Sequence, residues 1–298
     1  MTEALPLWAS LLYNEPMAIS LFSNEVLCQV AQTRMMRSSP TRIDATALAG
    51  SHAMSHDASH YTDQGRKPFP MKNGIAVIQC FGKMSKRGGW MDADSGMIGY
   101  DTLLRQLRAA HNDPEVAGTF LMMDSPGGHV ARLFETANEI AMLTEQEGGK
   151  PIYCYLDEEA SSAAYVVASA CDVILGPRSC VGGSLGVIMN MLDVSRLYED
   201  AGINPVVIRS SWADRKARPQ DGEKIDSDTI DKMQALVDES STQLLEFVTA
   251  MRGVPEKTIK DMRGEVFHGP ELFRRGLLDE VCSEREAWTL LEDHIRSR

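Results

Sequence analysis

The sequence predicts an α/β protein with a mostly parallel sheet, and two observations support this class. From residue 73 onward, short apolar segments alternate with segments whose apolar residues recur at helical spacing. This alternation is typical of β-α-β units, in which successive strands lie parallel and helices cover the sheet. The composition, 43% hydrophobic and 24% charged over 298 residues, is that of a globular chain that buries a substantial core.

The predicted elements follow one another from residue 73 to residue 285. The expected strands cover residues 75–80, 116–123, 152–156, 173–175, 187–189 and 206–208. The expected helices cover residues 100–110, 130–144, 194–201 and 227–252, and their apolar positions lie on one face. Two shorter segments, 266–276 and 277–281, complete this domain.

The flanking segments are assigned to other parts of the chain. Residues 1–34 have apolar positions at helical spacing and predict an N-terminal helical arm of one or two short helices. Residues 35–72 are rich in Ser, Thr, Ala, His and Pro, which favours a linker. Residues 286–298 are assigned to a C-terminal tail. The core domain is therefore expected to span residues 73–285.

Charge and hydropathy narrow the classes of partner. The net charge of −12 argues against sequence-independent binding of nucleic acid. No apolar run approaches the ~20 residues that span a bilayer, and the first residues lack the pattern of a signal peptide. We therefore expect no nucleic-acid partner and no membrane partner. The six cysteines form no Cys-x-x-Cys pair, which predicts buried, reduced thiols in a cytosolic protein.

One histidine pattern was considered as a metal site. His52, His56 and His60 recur every four residues, and on a helix this spacing would align three imidazole rings. The surrounding segment is a poor helix former and supplies no carboxylate ligands, so we expect no metal site. We expect no cofactor either.

A pair of serines follows an acidic cluster at residues 157–165, Asp-Glu-Glu-Ala-Ser-Ser-Ala-Ala-Tyr. The acidic residues are interpreted as a helix N-terminus, where carboxylates complement exposed N–H groups. Ser161 and Ser162 would then lie in the first turn, close to donors that can stabilise negative charge. The same small residues are also typical of ordinary packing in a buried helix, so the motif depends on its context.

That context comes from two glycine motifs. Residues 121–129 form an apolar strand that leads into a Ser-Pro-Gly-Gly turn, where Gly127 and Gly128 can leave backbone N–H groups free for an oxyanion. Residues 182–187, Gly-Gly-Ser-Leu-Gly-Val, contain Ser184. The alternative for each glycine pair is a plain turn.

The order of these motifs, followed by a lysine, resembles the signal peptide peptidase A (protease IV) family of serine–lysine peptidases over roughly residues 70–285. The similarity is greatest to its phage branch, the prohead proteases of the minor capsid protein C type. The resemblance implies a Clp protease/crotonase-like fold. It also implies that Ser162 is the nucleophile, because Ser162 matches the family pattern Ala-x-Ser-small-small-Tyr.

The same resemblance implies the biological setting. We expect a serine endopeptidase that cleaves scaffold or capsid proteins inside the assembling prohead, in the host cytoplasm. The resemblance also implies a homo-oligomer and names the portal protein as a further partner. Three alternatives stay open: a bacterial peptidase that degrades signal peptides, a crotonase-like acyl-CoA enzyme, and an inactive structural protein associated with the portal.

A serine nucleophile needs a base beside it. The residue assigned as the base depends on how the loop between the predicted strand and helix is aligned with the family pattern. No histidine occurs between His129 and His268, whereas a lysine can serve if burial lowers its pKa from about 10.4. The family's Ser-Gly-x-x-Lys pattern ends on Asp214 when counted forward from the strand predicted at 206–208. Counted back from the helix at 227–252, it ends on Lys216.

We assign Lys216 as the general base, which implies a two-residue insertion in the loop, and expect Ser184 to orient its ammonium group. Asp214 and His129 are the alternative bases. A solvated surface lysine is the other interpretation of Lys216.

Overall fold

The computed structural model describes residues 16–19, 67–87 and 96–298. The strands are β1 Met17–Ile19, β2 Met71–Lys72, β3 Ile75–Phe81, β4 Lys83–Ser85, β5 Met97–Gly99, β6 Gly118–Ser125, β7 Gly127–His129, β8 Ile152–Ser161, β9 Val173–Gly176, β10 Val181–Gly183, β11 Val266–His268 and β12 Glu280–Val281. The α-helices are α1 Tyr100–Asn112, α2 Leu133–Ala141, α3 Ala163–Ser169, α4 Ser195–Asp200, α5 Ser227–Arg252, α6 Glu256–Asp261, α7 Gly269–Arg274 and α8 Glu284–Arg296.

The main sheet has the strand order β11-β10-β8-β6-β3-β2. Strands β3, β6, β8 and β10 run parallel, whereas β2 and β11 pair antiparallel at the two edges. The long strand β8 pairs with β9 over its first half and with β10 over its last residues, and β12 extends the sheet beyond β9. The predicted α/β class with a mostly parallel sheet is confirmed.

A smaller sheet has the order β1-β7-β4-β5. Its strand β7 begins two residues after β6 ends, so the chain passes from the main sheet into the smaller one through Pro126. Strand β1 runs antiparallel to β7, and β4 runs parallel to both β7 and β5. The smaller sheet therefore begins at the end of the strand that leads into the Ser-Pro-Gly-Gly motif.

Helices cover both faces of the main sheet. Buried apolar residues of α1, α2, α3 and α5 form the larger core with the strands. On the other face, Ala287 and Leu291 of α8 are buried, and the Trp288 ring packs 5.2 Å from the Phe120 ring. Residues 286–298 were assigned to a tail, but α8 is the layer that completes this second core.

Two predicted strands are absent from the structure. Residues 187–189 contain only an isolated bridge at Ile188, and residues 206–208 have no regular structure. Val206 and Ile208 are 80% and 92% exposed. Their β-branched side chains favour a strand, but the segment lacks the burial that stabilises one. The helix predicted at 227–252 agrees with α5 at both ends.

The acidic residues 157–159 do not begin a helix. Strand β8 runs through them to Ser161, and α3 begins only at Ala163. The described residues of the predicted N-terminal arm, Met17–Ile19, form strand β1. The rest of that arm, most of the linker, and His52, His56 and His60 lie outside the described residues.

Candidate active site

Ser162 lies at the turn between strand β8 and helix α3. Its backbone has φ 54° and ψ −115°, a conformation that non-glycine residues rarely adopt. The Ser162 N–H donates to the Gly183 carbonyl at 2.7 Å, and the Ser162 carbonyl accepts from Val166 N–H at 3.1 Å. These bonds hold the strained turn in place, and Ser162 is the single residue between the end of β8 and the start of α3.

The hydroxyl group of Ser162 is fixed as well. Its Oγ donates to the carbonyl oxygen of Gly186 at 3.1 Å, and the residue is completely buried. Ser161 differs, because its Oγ is buried and makes no hydrogen bond to any described residue. Of the two adjacent serines, only Ser162 has both a strained turn and an oriented hydroxyl.

Gly127 and Gly128 lie in strand β7, next to this turn. Gly127 has φ +100°, and a Cβ built on it would lie 2.9 Å from the Ser161 carbonyl oxygen and 3.1 Å from the Ala163 nitrogen. A Cβ on Gly128 would lie 1.9 Å from the Met84 carbonyl oxygen. Glycine is therefore required at both positions, because no side chain fits between β7 and its neighbours.

Ser184 lies just after β10, on the loop that carries Gly186. Its φ is +49°, and its N–H donates to the Glu265 carbonyl at 2.8 Å. Ser184 lines a cavity of about 560 Å³, together with residues 185–188 and residues from α5 and α6. The structure places Ser184 near the Ser162 turn but gives it no bond to a lysine among the described residues.

Lys216 lies on the segment between α4 and α5 and is exposed. Its carbonyl oxygen accepts from Arg209 Nε at 2.7 Å, and Arg209 also pairs with Glu223 at 2.7 Å. This ion pair closes the segment into a loop and lowers the pKa of Glu223 to about 2. The Lys216 ammonium makes no hydrogen bond or ion pair within the described part of the chain, and none to Ser162.

The two alternative bases make no hydrogen bond to the Ser162 hydroxyl, which bonds to Gly186 in the described structure. Asp214 is exposed on the same loop as Lys216. His129 is buried in β7, where its Nδ1 lies 3.4 Å from the Met84 carbonyl oxygen and its own carbonyl accepts from the Tyr100 hydroxyl. The structure therefore brings Ser162, Gly127, Gly128 and Ser184 together, and among the described residues the Ser162 hydroxyl bonds to a backbone carbonyl and not to a candidate base.

A group of carboxylates lies at the end of β6 and β8. Burial is the main cause that raises the pKa of Asp124 to about 6, and the nearby Glu158 and Asp157 carboxylates add to it. In the residues that the structure describes, no three His, Cys, Asp or Glu side chains are arranged to hold a metal ion. Five cysteines, Cys80, Cys154, Cys171, Cys180 and Cys282, are buried free thiols.

The sequence profile described as Peptidase family S49 matches residues 144–297, which is more than half of the chain. The chain belongs to peptidase family S49. The matched S49 region includes Ser162 and Lys216, whereas Gly127 and Gly128 lie before it. The family resemblance inferred from the motifs is confirmed.

Curated relatives of this S49 chain include phage proteins and a bacterial peptidase. It is 27% identical to capsid assembly protease C of Escherichia phage lambda over 99% of this chain and 67% of that protein. It is 30% identical to head-tail preconnector protein GP5 of Enterobacteria phage P21 over 82% of this chain and 48% of that protein. It is 22% identical to a putative signal peptide peptidase SppA of Enterococcus faecium over 81% of this chain and 70% of that protein.

The chain thus spans about two thirds of the first of these relatives and about half of the second. Among solved structures, an enoyl-CoA hydratase/isomerase family member aligns with TM-score 0.43 and 16% identity over 76% of this chain and 74% of that chain. A second such protein, from Silicibacter pomeroyi, aligns with TM-score 0.45 and 14% identity over 77% of this chain and 81% of that chain. No helix within residues 16–19, 67–87 and 96–298 of the S49 chain is long and apolar enough to cross a bilayer.

Sequence reasoning missed two features of this S49 site. The Gly186 carbonyl accepts the Ser162 hydroxyl bond, and its position in the Gly-Ser-x-Gly-Val motif was the available signal. Strand β1 pairs with β7 beside the site. Nothing in the sequence indicated this pairing, because β1 lies more than 100 residues before Gly127 in the chain.

Proposed function

We propose that this S49 chain is a serine endopeptidase with Ser162 as its nucleophile. The observation that carries this proposal is the positive φ of Ser162 at a sharp strand-to-helix turn. Backbone strain of this kind costs about 1–3 kcal/mol and persists mainly at functional sites. A serine on such a turn presents its Oγ at the end of a parallel sheet, which is the arrangement of other serine hydrolases.

The chemistry then follows from the neighbouring groups. The Ser162 Oγ attacks the peptide carbonyl carbon, and its proton passes to the neutral amine of Lys216. Backbone N–H groups of the Gly127–Gly128 segment stabilise the negative charge on the carbonyl oxygen. The Lys216 ammonium protonates the departing amine, and the neutral lysine then activates water to release the acyl group from Ser162.

This step requires the Lys216 amine to lie beside a Ser162 hydroxyl. We infer that the two groups come from neighbouring copies of the chain. The loop that carries Lys216 exposes three large apolar side chains, Val206, Ile208 and Trp212, with exposed fractions of 80%, 92% and 87%. Several exposed large apolar side chains on one loop favour a protein interface. A homo-oligomer would bury this loop and remove the Lys216 side chain from water, which favours its neutral amine form.

We propose phage scaffold or capsid proteins as the substrates, and the portal protein as a further partner. The support is that the relatives with 27% and 30% identity are named a capsid assembly protease and a head-tail preconnector protein. Cleavage would then take place inside the assembling prohead in the host cytoplasm. No role for nucleic acid is part of this proposal.

The test is proteolysis of a co-expressed scaffold or capsid protein, with casein as a general substrate. Ser162→Ala should abolish cleavage and leave the fold intact, because it removes one hydroxyl among small residues. Ser161→Ala is the matched control and should keep most of the activity. Absence of cleavage by the wild-type chain would favour the inactive structural protein, and hydration of an enoyl-CoA would favour the acyl-CoA enzyme.

A further inference from the structure

We propose that residues 16–19 act as an internal pseudosubstrate. They occupy the peptide-binding slot of the active site, which is the space between strand β7 and Ile188. The slot would accordingly take an extended apolar segment with a small residue at the position of Ala18. This inference rests on the proposed peptidase function of Ser162.

Strand β1 is bonded along both of its edges. On one side it pairs antiparallel with β7, with Met17 opposite His129, Ala18 opposite Gly128 and Ile19 opposite Gly127. On the other side, Met17 and Ile188 exchange two backbone hydrogen bonds of 2.8 Å. An extended peptide that adds to a sheet edge is held by main-chain bonds in this way.

Both walls of this slot contain residues that lie next to the Ser162 turn. The wall that carries Ile188 also carries Gly186, whose carbonyl accepts the Ser162 hydroxyl bond. On the other wall, a Cβ built on Gly127 would lie 2.2 Å from the Ala18 carbonyl oxygen and 2.9 Å from the Ser161 carbonyl oxygen. Whatever strand fills the slot therefore passes directly beside the Ser162 turn.

The register places a carbonyl group where cleavage would need one. Val130 N–H donates to the Pro16 carbonyl at 3.3 Å, while Met17 bonds to the opposite wall. Because hydrogen-bonded pairs alternate in an antiparallel ladder, Ala18 is the next residue to bond with β7, through Gly128. The Ala18 carbonyl thus lies opposite Gly128, whose N–H group is one of the proposed oxyanion donors, whereas the Gly127 N–H donates to Ser125 Oγ at 3.2 Å.

The side chains of β1 indicate what the slot accepts. Met17 and Ala18 are fully buried, and Ile19 is 4% exposed. Ala18 lies opposite Gly128, which has no room for a side chain of its own because the Met84 carbonyl packs against it. Ile19 borders the cavity of about 560 Å³ that also contains Ser184, so a larger apolar group fits at that position.

An occupied slot lowers the apparent affinity for any substrate in trans. The apparent dissociation constant equals the intrinsic one divided by the fraction of molecules in which the slot is open. Releasing β1 should therefore lower KM and leave kcat unchanged. A strand with only a structural role would behave differently, since its loss would lower kcat or unfold the protein.

The first experiment measures KM and kcat on the full chain with a fluorogenic peptide containing an apolar-Ala-apolar segment. Met17→Asp places a charge at a fully buried position, so we expect KM to fall about tenfold or more at constant kcat. Met17→Pro removes the N–H donated to Ile188 and should act in the same direction. Met71→Asp, in the exposed strand β2, is the matched control and should change neither constant. An unchanged KM, or a lower kcat, in both folded Met17 variants would overturn the proposal.

The second experiment adds the β1 segment as a separate peptide. A peptide with the sequence of residues 14–21, Asn-Glu-Pro-Met-Ala-Ile-Ser-Leu, should inhibit the Met17→Asp chain competitively and the wild-type chain less strongly. The same peptide with Trp in place of Ala should not inhibit. Failure of the first peptide to inhibit an active enzyme would overturn the pseudosubstrate alone. If neither the wild-type chain nor the variants cleave any substrate, the proposed function fails instead.

Discussion

The hydroxyl of Ser162 donates its hydrogen bond to the carbonyl oxygen of Gly186 at 3.1 Å. A carbonyl can orient this hydroxyl but cannot take its proton, so the Gly186 bond orients the Ser162 hydroxyl without activating it. Ser161, one residue earlier, has a buried hydroxyl with no hydrogen bond to the described residues. The two serines should therefore respond to substitution in opposite ways.

Ser161→Ala should leave the free energy of unfolding unchanged or raise it, because it removes a buried polar group that gains no hydrogen bond. Ser162→Ala should lower it slightly, since it removes the bond to Gly186. Chemical denaturation of both variants measures this difference. A marked loss of stability in Ser161→Ala alone would show that its hydroxyl has a partner.

Gly127→Ala should lower both stability and activity. The new Cβ would overlap the Ala18 and Ser161 carbonyl oxygens, at 2.2 Å and 2.9 Å. Gly148→Ala is the matched control, because Gly148 has a similar φ of +87° but no atom within 4 Å of a Cβ. We expect Gly127→Ala to cost about 1–3 kcal/mol more than the control, from overpacking. Equal costs in thermal denaturation would show that backbone strain alone matters at Gly127.

Lys216→Ala should reduce turnover by about a hundredfold or more at every pH, the usual loss when a general base is removed. Lys224→Ala, on the same stretch of chain, should leave turnover near the wild-type value. The rate of casein cleavage between pH 6 and 10 gives the measurement. Near-normal turnover in Lys216→Ala would reject the serine–lysine pair and return Asp214 and His129 as candidates.

Mixing two inactive variants tests whether Lys216 acts on a neighbouring copy. If each site combines Ser162 of one subunit with Lys216 of another, subunit exchange between Ser162→Ala and Lys216→Ala should restore about a quarter of the wild-type activity. Exchange of Ser162→Ala with the double variant Ser162→Ala/Lys216→Ala is the control and should restore none. No recovery after verified exchange would place the base within the same subunit.

Asp124→Asn should stabilise the protein at neutral pH and have no stabilising effect in acid. The pKa of Asp124 in the folded protein, about 6, lies above its ordinary value of 3.8. The folded state then binds more protons than the unfolded state between these values, so stability is lost as the pH rises through this window. The full shift corresponds to about 3 kcal/mol, which partial exposure of the carboxyl reduces to about 1 kcal/mol.

Melting temperatures from pH 3 to pH 8 measure this effect. The gain of Asp124→Asn over wild type should appear between pH 4 and pH 6 and stay constant above it. Asp200→Asn, at the exposed end of α4, is the control and should show no such step. A gain that is equally large at pH 3 would assign the effect to packing.

Much of the fold could be predicted because its signals are local. The apolar segment before Asp124 predicts strand β6, and the apolar stripe of α5 predicts a helix. Both ends of α5 were predicted to the residue. Ser162, Gly127 and Gly128 were predicted as site residues from their motifs and the family resemblance, and the structure places Gly127 next to the Ser162 turn. The exposed segment 206–208 was predicted as a strand because composition alone does not reveal whether β-branched residues are buried.

The remaining features depend on contacts between distant parts of the chain. The pairing of Ala18 with Gly128 joins residues 110 positions apart, and three apolar residues carry no information about such a partner. The acids 157–159 were assigned to a helix start because carboxylates favour that position. Pairing of β8 with β6 and β10 overrides this local preference.

Helix α8 follows every strand of the main sheet in the chain. Its Trp288 packs against Phe120 of β6, and α8 also contacts β8, the strand that ends at Ser161. The ribosome makes these strands long before it makes the helix that covers them. A chain still being translated therefore has one uncovered face on its central sheet, and the strand that ends at Ser161 is covered on this face only after α8 has been made. The smaller core, between α8 and the sheet, is therefore the last part of the described fold to assemble as the chain is made.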